Sequence, residues 1–185
     1  MWAEFWEWLS KLPPGSATFV GTLAGSSFGL IAILIGAFVN ASLNRGRDDR
    51  LRDEERIAVA STLFAELKGI HRTLAENAQH LTDKPPDHDG GFMIPEPSVK
   101  LLPEMLSKLG LLRADTIRTV MDAYVLTEQY LEQLILVGGK LQANMPENRQ
   151  LVYMEAHLAP FVIEFNQTRA GVVQEAMNAL APYLK

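Results

Sequence analysis

Residues 18–43 read TFVGTLAGSSFGLIAILIGAFVNASL and hold no charged side chain. The arginine-rich turn NRGRDDRLR follows at once, over residues 44–52. A helix over those 26 residues measures about 39 Å, enough to cross about 30 Å of hydrocarbon with some tilt. A core helix of a water-soluble domain rarely stays apolar all round for this long. A cleaved signal peptide would want a basic start, whereas this chain begins MWAEFWEWL, acidic and aromatic. The stretch therefore predicts one transmembrane helix ended by its arginines.

Orientation follows from flanking Lys and Arg rather than from net charge. Lys11 stands before the span; Arg45, Arg47, Arg50, Arg52 and Arg56 stand after it. The expected arrangement is a bacterial inner-membrane protein with a periplasmic N-terminus and a cytoplasmic C-terminal domain. In the first turns Trp2, Phe5, Trp6 and Leu9 recur at helical spacing, with Trp8 beside them. Aromatic rings favour the headgroup region, so residues 1–16 read as an interfacial amphipathic segment. Pro13, Pro14 and Gly15 then turn the chain into the membrane. Trp2, Phe5, Trp6, Trp8, Arg45 and Arg47 are the expected membrane-interface residues.

Within the span, 17–43, Gly21, Gly25 and Gly29 are spaced by four, and Ala32, Gly36 and Asn40 repeat the period. Small residues in such a row let a second helix approach closely. Gly21, Gly25, Gly29 and Gly36 are the expected helix–helix interface. Thr18, Thr22, Ser26, Ser27 and Asn40 add polar groups that lipid disfavours. A ring of such spans with Thr18, Thr22, Ser26 and Asn40 as a thin lining is a second reading, a small oligomeric pore.

Residues 44–81 continue with helical composition, broken only by Gly46 and Gly69. Asp48/Arg52 and Arg50/Glu54 are opposite-charge pairs at i,i+4, and Asp53/Arg56 at i,i+3. Leu63, Leu67, Ile70, Leu74, Asn77 and Leu81 alternate by four and three, with Ala60 and Phe64 widening the stripe. That period marks a helix face packed inside a bundle. Residues 82–98, TDKPPDHDGGFMIPEPS, read as one long loop in which Phe92, Met93 and Ile94 form an apolar plug. Residues 99–185 supply the remaining helices: a short one over 99–112, a longer one over 116–137 capped by Asp115, and a last one from near Pro146. Asn144 is a cap for the last helix, and Pro160 is expected to kink it.

The expected fold class is therefore all-α: a single N-terminal transmembrane helix followed by a cytoplasmic antiparallel helical bundle. The layout resembles bacterial proteins with one N-terminal anchor, an Arg-rich helix and a helical domain. That likeness is architectural and carries no motif.

The 185 residues contain no cysteine, which removes disulfides, thiolate nucleophiles and cysteine-based metal sites. The C-terminal part is mildly acidic, which argues against nucleic acid as a partner. His80, Asp83, Asp87, His88 and Asp89 are potential metal donors in one short span, but they lack the spacing of a zinc or calcium motif. Glu155, His157 and Glu164 do not form a Glu-x-x-His repeat, and His71 sits at the edge of an apolar face. No glycine-rich phosphate loop accompanies Gly90-Gly91 or Gly138-Gly139. The expectation is a non-enzyme without cofactor, metal or evident small-molecule substrate. Its partners would be the lipid bilayer and a second copy or a larger membrane complex, served as scaffold or accessory subunit. An enzyme with the 82–98 loop over its site is the remaining alternative.

Overall fold

The computed structural model describes residues 2–11, 13–87, 90–142 and 150–184. The chain divides into two compact units, Met1–Leu51 and Arg52–Lys185. Helix α1 spans Trp2–Ser10. Helix α2 spans Pro14–Asp83 without a break and contributes to both units. Pro14 opens it where a missing N–H costs nothing. Gly46 and Gly69 both lie inside this helix, since nothing else over 44–81 favours a turn.

The C-terminal unit is mostly helical. After α2 come strand β1, Gly91–Pro95, and helix α3, Leu102–Met105, which leads into a 3₁₀ turn, Leu106–Leu111. Helices α4, Ala114–Glu128, and α5, Tyr130–Leu136, follow with a break at Gln129. Strands β2, Lys140–Leu141, and β3, Leu151–Glu155, precede helix α6, Ala159–Leu180. The core side of α2 is the expected stripe. Leu63 and Leu67 are completely buried, Ile70, Leu74 and Leu81 nearly so, and Asn77 is buried with them. Val120, Tyr124, Leu134, Val162, Val173 and Leu180 meet that stripe from α4, α5 and α6.

The all-α expectation is corrected by a small three-stranded antiparallel sheet of order β1-β3-β2. Residues 82–98 are not one loop: Gly91 pairs with Glu155 and Ile94 with Val152. Ile94, Val152 and Met154 are buried, so Phe92 and Ile94 of the apolar plug take the inward face of a strand while Met93 between them is exposed. Leu151 belongs to β3 rather than to the last helix, which starts at Ala159. Pro160 thus sits in the first turn of α6, where it removes no ladder bond and gives no cause for a kink. Asp115 lies inside the first turn of α4 rather than capping it; Arg113 holds the cap position. Asn144 and Pro146, and the His88 and Asp89 donors, lie outside the described residues.

The Gly138-Gly139 pair joins the helices to the sheet. Gly138 takes φ +110°, and its N–H bonds Ile135 O at 3.1 Å while Gly139 N–H bonds Leu134 O at 2.8 Å. This is a Schellman C-cap, and it satisfies the last carbonyls of α5. A Cβ on Gly139 would stand 2.6 Å from Val152 Cγ1 and 2.7 Å from the Leu134 carbonyl oxygen. Because one of those neighbours is backbone, Gly139→Ala is expected to cost about 1–3 kcal/mol of stability. Urea unfolding of the detergent-solubilised chain, with native secondary structure retained at zero urea, measures it.

Candidate membrane-association surface and buried polar network

The N-terminal unit presents apolar side chains on every side of α2. Its most apolar window has a mean hydropathy of 2.0, and none of it is buried. Phe28 is 73% exposed and Phe38 78%. In water that surface would far exceed the apolar patches found on soluble monomers. Lipid is the solvent that accommodates it. Among the described residues there is thus one helix long and apolar enough to cross a membrane, followed by a mostly helical domain.

Helix geometry brings the predicted interface residues together. At 3.6 residues per turn, Gly21, Gly25, Gly29 and Gly36 fall within an arc of about 80°. Nothing lies within 4 Å of a Cβ built on any of them. The stripe is open for a second backbone. Thr22 Oγ donates to Thr18 O at 2.9 Å, and Ser27 Oγ to Leu23 O at 2.8 Å. Those hydroxyl protons are satisfied within the helix and place no demand on the lipid.

In α1, Phe5 packs edge-on to Trp6 and lies against Trp8, each with ring centroids 6.2 Å apart. All three rings stay exposed. The Trp2 and Leu9 side chains lie outside the described residues. Arg45 and Arg47 are exposed on α2 and make no ion pair among the described residues. Of the expected charge pairs beyond them, Arg56–Asp53 forms at 2.9 Å.

The C-terminal unit hides a polar network that sequence reasoning did not assemble. Asn77 Nδ2 donates to Pro95 O at 3.1 Å and to Tyr130 Oη at 3.2 Å. Tyr130 Oη donates to Asn166 Oδ1 at 3.0 Å, and Asn166 Nδ2 to Val162 O at 2.8 Å. Burial raises the Tyr130 phenol to about 12, against the pull of the two asparagines and Arg169. The network ties α2, β1, α5 and α6 at one depth. Its signals in the sequence were asparagines at core positions: Asn77 in the α2 stripe, and Asn166 four residues after Val162.

A second anchor is Glu66. Its carboxylate accepts the N–H groups of Lys100 at 2.5 Å, Leu101 at 2.6 Å and Leu102 at 3.1 Å, and the Tyr124 hydroxyl at 2.7 Å. It caps the start of α3 from across the domain. Burial first, then this bond to Glu66, pushes the Tyr124 phenol above its usual range.

A cleft of about 680 Å³ lies between α2 and the 95–100 connection and is lined by Arg72, Glu76, Asn77, Glu96, Lys100 and Glu128 among others. Glu96 is half-buried there, and desolvation raises its carboxyl pKa. Its carboxylate has no ion-pair partner among the described residues. His71 borders a separate shallow groove, and His157 Nδ1 lies 3.5 Å from Glu155. Among the described residues no three His, Cys, Asp or Glu side chains converge on a metal position. In comparisons with known proteins no family model matches the chain, and no curated protein or solved structure matches it significantly.

The raised Glu96 pKa has a definite sign. The fold disfavours the ionised carboxyl, so its burden is absent below the unfolded carboxyl pKa and complete above the folded one. Glu96→Gln is therefore expected to raise the melting temperature at pH 7 and to lose that advantage at pH 4. Thermal scans of both chains at the two pH values check it; an equal gain at both would contradict it.

Proposed function

We propose that this protein is a non-enzymatic, membrane-anchored helical scaffold or accessory subunit. It associates through α2 with a second copy or with a larger complex of the bacterial inner membrane. The single observation that carries this reading is the open glycine stripe on a fully exposed apolar helix. A helix that only anchors needs apolar bulk, and leucine would serve. Glycine weakens a helix by about 1 kcal/mol relative to alanine, so four on one arc need an offsetting contact. Close backbone approach to another helix supplies one.

The arginines after the span support a cytoplasmic C-terminal unit, with α1 lying in the opposite headgroup layer. Arg45 and Arg47 face anionic headgroups in that arrangement, each contributing about 1 kcal/mol of attraction near the surface. The α2 span then positions the C-terminal unit beside its partner.

Chemical crosslinking in native membranes tests the association. Replacing Gly25 and Gly29 together by Leu is expected to remove the higher-mass species formed by the natural chain. A natural chain that stays monomeric and carries no partner sinks the proposal, as does an unchanged crosslinking pattern in the double variant.

A further inference from the structure

The buried polar network leaves one acceptor over, and it belongs to a residue of the cleft between α2 and the 95–100 connection. Tyr130 has a single hydroxyl proton, which goes to Asn166 Oδ1. Asn166 is oriented in turn by the bond from its Nδ2 to Val162 O. Tyr130 Oη can therefore only accept from Asn77, and this fixes which way the Asn77 amide points. Its nitrogen serves Tyr130 Oη and Pro95 O together. Asn77 Oδ1 has no hydrogen-bond partner among the described residues, although Asn77 is only 9% exposed and lines the cleft. The atom is not sealed in the core, so the cleft is where it meets solvent.

Glu96 stands beside this acceptor. The residue before it, Pro95, holds Asn77, and its own N–H bonds Gln150 O at 3.1 Å. Its negative charge acts on the same Tyr130 phenol that Asn77 contacts. The carboxylate is half-buried in the cleft, and no cation reaches it within ion-pair distance among the described residues. Arg72, which also lines the cleft, stands 3.9 Å from Glu76 instead. Glu76, Glu96 and Glu128 thus face Arg72 and Lys100, an excess of one acid in the cleft. Pro95, Pro97 and Pro103 stiffen its wall, so the acceptors are held in place before any ligand arrives.

We propose that this cleft binds a small organic cation, an amine or a guanidine, whose N–H groups are taken by the Glu96 carboxylate and Asn77 Oδ1. A desolvated carboxylate and a bare amide oxygen both call for donors, and a positive charge relieves the carboxylate as well. An anion would be repelled by Glu96, and an apolar ligand would leave both acceptors unsatisfied. The volume, about 680 Å³, is that of a small-molecule site. All of these residues belong to the C-terminal unit, so the site does not rest on association through the membrane helix.

Isothermal titration of the full-length chain in detergent with butylamine, agmatine and spermidine tests the proposal, with succinate as the anionic reference. At least one of the three cations is expected to bind with one-to-one stoichiometry, and succinate is not. Glu96→Gln, checked as folded by its melting temperature, should weaken that binding about tenfold or more. Glu175→Gln removes the same charge from an exposed position on α6 outside the cleft lining and should leave the affinity unchanged. No binding of any of the three cations at millimolar concentration overturns the proposal. So does an affinity that Glu96→Gln leaves intact, or one that both variants lower equally, because the attraction would then be general to an acidic surface.

Discussion

Hydrocarbon offers no hydrogen-bonding partner, so every backbone N–H and C=O inside it must pair within the segment that crosses. A single span meets that demand only as an unbroken helix. Helix α2 does so over Pro14–Asp83, and the rest of the structure depends on this continuity. Its first half is apolar on all sides and suits lipid. Its second half changes to a one-sided stripe, Leu63 to Leu81, on which the C-terminal unit packs. One helix thus serves two solvents, and the change of periodicity along it marks where one gives way to the other.

The packing on that stripe is fixed by polar groups as much as by apolar ones. Burying Leu63, Leu67 and Leu74 supplies non-directional stabilisation. Glu66 and Asn77, on the same helix, reach across to α3, β1, α4 and α5 and accept or donate in set directions. A sliding or rotated arrangement of the helices would leave those groups buried and unpaired, at about 1–3 kcal/mol each. The network selects one packing among the several that an apolar stripe alone would tolerate.

How far this was legible in the sequence depends on whether the signal was local. The apolar run, the glycine row and the α2 stripe are periodic within one helix, and the structure carries them on the same residues. The sheet was missed because its pairing is non-local. Gly91–Pro95 is five residues between glycines and prolines, too short to show alternation and shaped like a loop. Leu151–Glu155 was absorbed into a helix because Leu151 and Leu158 stand seven apart, although Val152 and Met154 alternate as a strand does. The same limit hid Glu66 and Arg169. Each is an ordinary charged residue on a helix, and only the fold brings Glu66 to three backbone N–H groups or leaves Arg169 with a glutamine.

The proposed arrangement has residues 18–43 across the bilayer and the C-terminal unit on the cytoplasmic side. Single-cysteine accessibility in intact cells tests it most directly. A membrane-impermeant maleimide should label Ser16→Cys from outside and should label Asp53→Cys only after the cells are opened. Labelling of both positions in intact cells, or of Asp53→Cys alone, would contradict the account.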